Sequence, residues 1–164
     1  MLRKLAVATT IAAGLGLSLE AVSAQSAQDL AGTWTLVSIE TVGPDGTRAP
    51  TFGPNPKGQL ILGASGQFSQ IFLRSDLPKF ASGNRLKGTP EENAAVVHGS
   101  NAAFGTWALK DNVVTLSMDG STFPNWMGTA QPRPISSFSR DELKWTVPAA
   151  SIGGRIETVW QRMK

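Results

Sequence analysis

The chain has 164 residues, of which 41% are hydrophobic and 7% aromatic, with a formal net charge of +3. This length suits one domain, and the hydrophobic share is that of a globular protein. The sequence has no cysteine, which excludes disulfides, iron–sulfur clusters, thiol nucleophiles and cysteine-ligated zinc. A single histidine excludes zinc sites built from several histidines, and we expect no metal or other cofactor.

The first 24 residues have the pattern of a secretory signal peptide. A short basic start is followed by an uncharged apolar run from Leu5 to Leu19, and Val22–Ala24 supplies the small residues of a cleavage site. A membrane anchor is the alternative, but a spanning helix needs about 20 apolar residues. We therefore predict cleavage after Ala24 and a periplasmic or secreted protein.

The remaining chain, residues 25–164, is predicted to form one domain with its core at about residues 30–163. Its lysines and arginines are scattered singly along the sequence. Nucleic-acid binding needs clustered basic residues that neutralise phosphates. We therefore expect no nucleic-acid partner and, after cleavage, no transmembrane segment.

Eight short segments separated by turn residues have the composition of β-strands. Thr33 to Val42 is β-branched and alternating, while Ala64–Gly66 and Lys110–Asn112 are short connections typical of hairpins. Such strands without alternating helices favour an antiparallel sandwich or a closed barrel. The predicted strands are residues 33–42, 58–62, 67–74, 101–110, 112–119, 128–138, 141–147 and 154–163.

One segment, at about residues 90–99, is predicted to be helical. Thr89 can serve as the N-cap, Pro90 suits the first helical position, and Glu92 completes a capping box. Glu91 and Glu92 also lie where the helix dipole favours negative charge. Capping explains this pair better than acid–base catalysis, because adjacent helix residues point in different directions.

Several blocks of the sequence occur in a characteristic order. Gly32-Thr33-Trp34 opens the first strand, and Arg162 lies at the end of the last strand. Between them follow Phe80–Gly83, Gly88–Glu92, Phe104–Trp107 and Phe123–Thr129. In these blocks and their order, from about Leu30 to Arg162, the chain resembles the bacterial lipocalin-like domain family. The resemblance implies that Arg162 covers the Trp34 ring as a cation–π closure of the barrel.

The resemblance implies an all-β fold, an eight-stranded antiparallel up-and-down barrel with one short helix inserted between the third and fourth strands. It implies no particular activity. The chain departs from the family in having no tyrosine. Pro132 and Pro134 also fall in the sixth strand, where each removes a ladder donor, so we expect that strand to be bulged, partly open or at a seam.

An eight-stranded barrel has room for packed side chains or for one small ligand. On the third strand, Phe68, Gln70, Phe72 and Arg74 share one face by the period of two. That face could bind an apolar body and a carboxylate or carbonyl head. In the alternative, the aromatics are plain core and Arg74 reaches solvent at the strand end.

Two further segments supply candidate ligand contacts. His98, near the helix end, could contact a ligand or move a proton, although a histidine there is also favoured by the helix dipole. Asn125 and Trp126 lie in a loop that would serve as a lid or as an apolar plug. The full set of candidate ligand contacts is Gln70, Phe72, Arg74, His98, Phe104, Trp107, Asn125 and Trp126.

Three functions from different classes remain compatible with the sequence. We expect an exported barrel that binds a small hydrophobic or amphipathic molecule without catalysis. The first alternative is a barrel enzyme of the isomerase or cyclase type, in which His98 or Arg74 would act on a bound apolar substrate. The second is a filled barrel that acts as an envelope interaction module. The sequence contains no G-x-S-x-G elbow, P-loop or G-x-G-x-x-G motif.

Overall fold

The computed structural model describes residues 26–164, so the predicted signal peptide lies outside the described residues. Within this range the strands are β1 Gly32–Val42, β2 Arg48–Pro50, β3 Lys57–Leu62, β4 Gln67–Leu73, β5 Ser100–Lys110, β6 Val113–Ser121, β7 Ala130–Phe138, β8 Glu142–Val147 and β9 Arg155–Arg162. The helices are α1 Ala27–Leu30, α2 Pro90–Gly99 and a 3-10 turn at Pro124–Trp126. No helix within residues 26–164 is long and apolar enough to cross a membrane.

Eight of these strands form a closed, antiparallel, up-and-down barrel. β1 and β3 to β9 pair in chain order, and β9 returns to pair with β1. The predicted fold class, with its helix between the third and fourth barrel strands, is therefore confirmed.

The ninth strand, β2, was not predicted. It pairs with the end of β1 outside the barrel wall. Its three residues are all exposed, so no apolar alternation marks it in the sequence. Arg48 holds it in place through exposed ion pairs with Glu40 (2.7 Å) and Glu157 (2.6 Å).

The two ends of the barrel differ in their connections. At one end, which we call the closed end, three short turns join the strands: residues 63–66, 111–112 and 139–141. Asp111 and Asn112 both have positive φ (50° and 62°), as the favoured two-residue hairpin requires. At the opposite, open end the connections are longer: residues 43–56, 74–99, 122–129 and 148–154.

Trp34 and Arg162 seal the closed end. The guanidinium of Arg162 lies 4.0 Å from the Trp34 ring centroid and donates to the Ala31 carbonyl (2.8 Å). It also donates to the backbone carbonyls of Arg140 and Asp29, so one side chain ties the last strand to α1 and to a turn. At Gly32, a Cβ would lie 2.6 Å from Arg162 Nη1, which explains why glycine stands there.

The hydrophobic core fills the closed half of the barrel. Its fully buried members include Leu30, Trp34, Leu62, Leu116 and Leu143. These side chains come from α1 and from strands around the barrel, because alternate residues of every strand point inward. These side chains pack the closed half of the barrel interior, and the interior cavity lies toward the open end.

Candidate ligand-binding cavity

A cavity of about 440 Å³ lies between the inner faces of the strands and the connections of the open end. This volume falls within the roughly 300–1,000 Å³ usual for small-molecule sites. Its walls come from β1, β4, β5, β7, β8 and β9 and from all four long connections. The barrel is thus packed in one half and hollow in the other.

Aromatic and branched side chains form most of the cavity wall. Phe72 stacks on Phe52 with centroids 5.7 Å apart, and its other neighbour is Trp160 at 5.4 Å. Trp145 packs edge-on against Trp160, and it lines the cavity beside Ile39. Such a wall is suited to burying an apolar molecule.

The rim of the cavity is built from exposed side chains and from the partly buried Trp126. Val97 and His98 contribute the last turn of α2, and Ile152 contributes the β8–β9 connection. Phe123 and Trp126 pack edge to face at 5.6 Å in the β6–β7 connection. Val97, Ile152 and Phe123 are exposed hydrophobic residues, so the rim presents an apolar border around the opening.

Arg133 is the buried charge in this cavity. Its side chain lines the cavity from β7, and the residue is only 3% exposed. Burial lowers the pKa of Arg133 to about 10, so it remains protonated at neutral pH. Among the hydrogen bonds of residues 26–164, its guanidinium makes one, from Nη1 to the Pro132 carbonyl at 2.8 Å.

No carboxylate compensates this charge within the described part of the chain. None of the ion pairs formed by residues 26–164 includes Arg133. The residues that line the cavity include no aspartate or glutamate, and His98 is the other ionisable side chain among them. The cavity therefore carries a positive charge surrounded by apolar surface.

The two prolines of β7 explain how Arg133 comes to lie there. Ile135 donates its N–H to the Asn112 carbonyl at the start of β6 (2.9 Å), so odd-numbered residues of β7 direct their N–H groups to β6. Pro132 and Pro134 then occupy the positions whose N–H groups would donate to β8, and proline has no N–H.

The pairing of β7 with β8 accordingly begins only at Ile135, and it is interrupted by a register shift before Ser137. The Pro132 carbonyl, on the same side of the strand, accepts from Arg133 instead. The sequence-based expectation of a bulged, partly open strand agrees with this arrangement.

Neutral polar groups share the cavity with Arg133. Gln70 and Thr158 are buried (5% and 2% exposed) and line it. Asn101 also lines it, and its Oδ1 atom is buried without a hydrogen-bond partner among residues 26–164. These groups offer hydrogen bonds to a polar part of a ligand.

The structure brings four of the eight predicted contacts together at this cavity: Gln70, Phe72, His98 and Trp126. Gln70 and Phe72 project inward from β4 as the period of two predicted. His98 and Trp126 lie at the rim on different connections. These four side chains are therefore placed to touch one ligand.

The other four predicted contacts lie elsewhere. Arg74 is exposed beyond the end of β4, where its guanidinium forms two hydrogen bonds with Asp76 (2.8 and 2.7 Å). This pairing raises the pKa of Arg74 and lowers that of Asp76. Asn125 is exposed, away from the cavity lining.

Phe104 and Trp107 lie on opposite faces of β5. Phe104 is 57% exposed on the outer surface, where it covers Gly120 so closely that a Cβ there would come within 2.3 Å of the ring. Trp107 is buried in the core and donates from Nε1 to the Gly63 carbonyl (2.9 Å). Of these two side chains, only Trp107 therefore belongs to the barrel interior.

Arg133 is the charged cavity residue that the sequence analysis did not predict. A signal for it exists, because Arg133 and Ile135 share one face of the predicted strand 128–138 and Ile135 is typical of an inward position. Proline on both sides of Arg133 also predicts a disrupted strand, in which the direction of a side chain is harder to assign.

Comparison with solved structures finds barrels of low sequence identity. A lipocalin-like protein from Bacteroides uniformis ATCC 8492 is 17% identical (82% of this chain, 99% of that chain, TM-score 0.47). An uncharacterised protein from Bacteroides eggerthii DSM 20697 is 11% identical (81% and 98%, TM-score 0.42). Bovine odorant-binding protein, in complex with a selenium-containing odorant, is 15% identical (88% and 77%, TM-score 0.41).

No curated protein matches the chain. The sequence model of the lipocalin-like domain, in contrast, matches residues 31–163, which include all eight barrel strands and α2. This chain therefore belongs to the lipocalin-like domain family.

Proposed function

We propose that this protein binds one small hydrophobic or amphipathic molecule inside its barrel. The observation that carries the proposal is the cavity of about 440 Å³, walled by Phe72, Trp145 and Ile39 and bordered by the apolar rim. A packed closed end and a hollow open end give such a molecule one route of entry. A lipocalin-like fold is consistent with this use.

The proposal takes the protein as a carrier that leaves its ligand chemically unchanged. General acid–base catalysis needs a titrating group held against the reacting atoms. His98 is exposed at the rim, on the last turn of α2, which is a position for a ligand contact rather than for a held proton. Arg133 stays charged at neutral pH and can bind or orient a ligand.

Export is part of the same proposal. The basic start, the apolar run from Leu5 to Leu19 and the small residues Val22–Ala24 support cleavage after Ala24 and a periplasmic or secreted protein. Expression of the full chain, followed by intact-mass measurement of the product in the exported fraction, tests this. A mass corresponding to a start at Gln25 is the expected result.

Binding is tested with a neutral, apolar fluorophore, N-phenyl-1-naphthylamine, whose emission rises in apolar surroundings. We expect saturable binding of one molecule per chain. Ala150→Phe should weaken binding, because Ala150 lines the cavity opening. The matched variant Ala108→Phe, on the exposed outer face of β5, should bind as the unmodified protein does. Binding that is absent, or equally affected by both substitutions, would refute the proposal.

A further inference from the structure

We propose that the ligand of this cavity carries a single acidic group, such as a carboxylate, and that Arg133 binds it. This inference rests on the proposed function, because it concerns the occupant of the same cavity. It goes further in naming the chemical class of the ligand and the residue that selects it.

The first argument is the uncompensated charge. A buried guanidinium without an anionic partner is costly, and proteins normally pair such groups with a carboxylate. Arg133 is 3% exposed and belongs to none of the ion pairs of residues 26–164. The missing negative charge is supplied if the ligand brings it.

The second argument is the free hydrogen-bonding capacity. A guanidinium has five N–H donors in a planar fork that matches two carboxylate oxygens. Only Nη1 of Arg133 donates within the described chain, to Pro132. The side chain is thus oriented by one bond, while Nε and Nη2 are left for another acceptor, and Arg133 lines the cavity where a ligand would lie.

The third argument concerns the rest of the lining. The other buried polar side chains of the lining, Gln70 and Thr158, are neutral, as is the partly buried Asn101. No other buried cation lines the cavity to receive a second acid group. A ligand with one acidic head and an apolar body therefore fits both the single charge and the aromatic wall.

The test compares two molecules of equal chain length, decanoic acid and 1-decanol, at pH 7.5. Each displaces N-phenyl-1-naphthylamine from the protein, and the readout is the ratio of their dissociation constants. A charge-assisted hydrogen bond to a buried group is worth about a 10- to 100-fold difference in affinity. We expect decanoate to bind more tightly than decanol by that factor.

Arg133→Met keeps the unbranched apolar stem of the side chain and removes its guanidinium, so the preference for decanoate should fall to a ratio near 1. Arg74→Met is the matched control. Arg74 is exposed and bound to Asp76, so this variant should retain the preference for decanoate. Thermal unfolding of each variant establishes that the barrel is folded.

The possible outcomes separate the two proposals. If the unmodified protein binds none of the three molecules, the proposed function fails. If acid and alcohol bind equally well, or if Arg133→Met leaves the preference unchanged, the ligand-binding function stands and the assignment of Arg133 is overturned. Loss of the preference in Arg74→Met alone would likewise overturn it.

Discussion

The two ends of this barrel use an arginine in opposite ways. At the closed end, Arg162 covers the ring of Trp34 and donates to three backbone carbonyls, from Ala31, Arg140 and Asp29. Toward the open end, Arg133 is more deeply buried and lines the cavity, but it donates to a single carbonyl, that of Pro132. All three nitrogens of the Arg162 guanidinium donate hydrogen bonds within the fold, whereas only one nitrogen of the Arg133 guanidinium does so.

This difference indicates that the closed end contributes mainly to stability and the open end mainly to ligand binding. Short turns, α1 and packed core side chains make up the closed end. Long connections at the open end contribute a rim of exposed side chains and a cavity. Substitutions at the closed end should therefore act mainly on the free energy of unfolding, and substitutions at the open end mainly on affinity.

The largest expected effect compares one tryptophan from each end. Trp34→Ala should lower the free energy of unfolding by about 3–5 kcal/mol, because the buried ring, its hydrogen bond to the Leu30 carbonyl and its contact with Arg162 are lost together. Trp126→Ala at the rim should cost less, about 1–2 kcal/mol, because Trp126 is only partly buried against the core. Urea denaturation of both variants measures this, and similar losses would contradict the division between the ends.

The next effect has the opposite sign. Arg133→Met should stabilise the unliganded protein at pH 8 by up to about 3 kcal/mol, because an uncompensated buried charge is replaced by an apolar side chain. The folded-state pKa of about 10 lies well below the ordinary pKa of an arginine, so above about pH 10 the unfolded chain still holds the proton that the folded chain has lost. The stability of the unmodified protein relative to the variant must therefore rise with pH in that window.

Chemical denaturation at pH 8, 9, 10 and 11 measures the difference in free energy of unfolding between the two proteins. The contributions of the other titrating groups cancel in this difference. The advantage of Arg133→Met should be constant up to about pH 9 and should shrink by about 1 kcal/mol between pH 10 and pH 11. A variant that is less stable than the unmodified protein at pH 8 would show that Arg133 contributes to the fold as Arg162 does.

The same pair of arginines shows what the sequence could and could not reveal. The Trp34–Arg162 contact was anticipated from the resemblance to a family, and the capping box of α2 from the spacing of Thr89 and Glu92. Caps, turns and strand periods are local, so a single sequence carries them. The barrel strands and the inserted helix could be predicted for that reason.

Residue roles in the cavity depend on distant contacts, and there the prediction was less complete. Arg74 has the inward period of β4 but stands one residue beyond its end, where the nearby Asp76 binds it. Phe104 and Trp107 are three residues apart on one strand, so the period of two already excludes that both point inward. Only the closed barrel reveals that Arg133 meets no carboxylate.

A third test addresses how Arg162 seals the closed end. Arg162→Lys keeps the charge, but its three donors leave a single nitrogen and cannot reach three carbonyls that are arranged around the three nitrogens of a guanidinium. It should therefore lower the free energy of unfolding by about 2 kcal/mol. Arg155→Lys in the same strand is the control, because Arg155 is exposed and forms only an ion pair with Glu157. Its effect should stay within about 0.5 kcal/mol. Equal effects in urea denaturation would show that charge alone matters at position 162.

The smallest effect concerns the helix that carries the rim. Thr89→Ala removes the N-cap bond to the Glu92 N–H (3.2 Å), which should lower the free energy of unfolding by about 1 kcal/mol. Because α2 contributes Val97 and His98 to the cavity opening, the variant should also release a bound fluorophore faster. Thr106→Ala, on the exposed face of β5, is the control. Stopped-flow displacement measures the release rate, and an unchanged rate in a destabilised Thr89→Ala protein would show that α2 does not control access to the cavity.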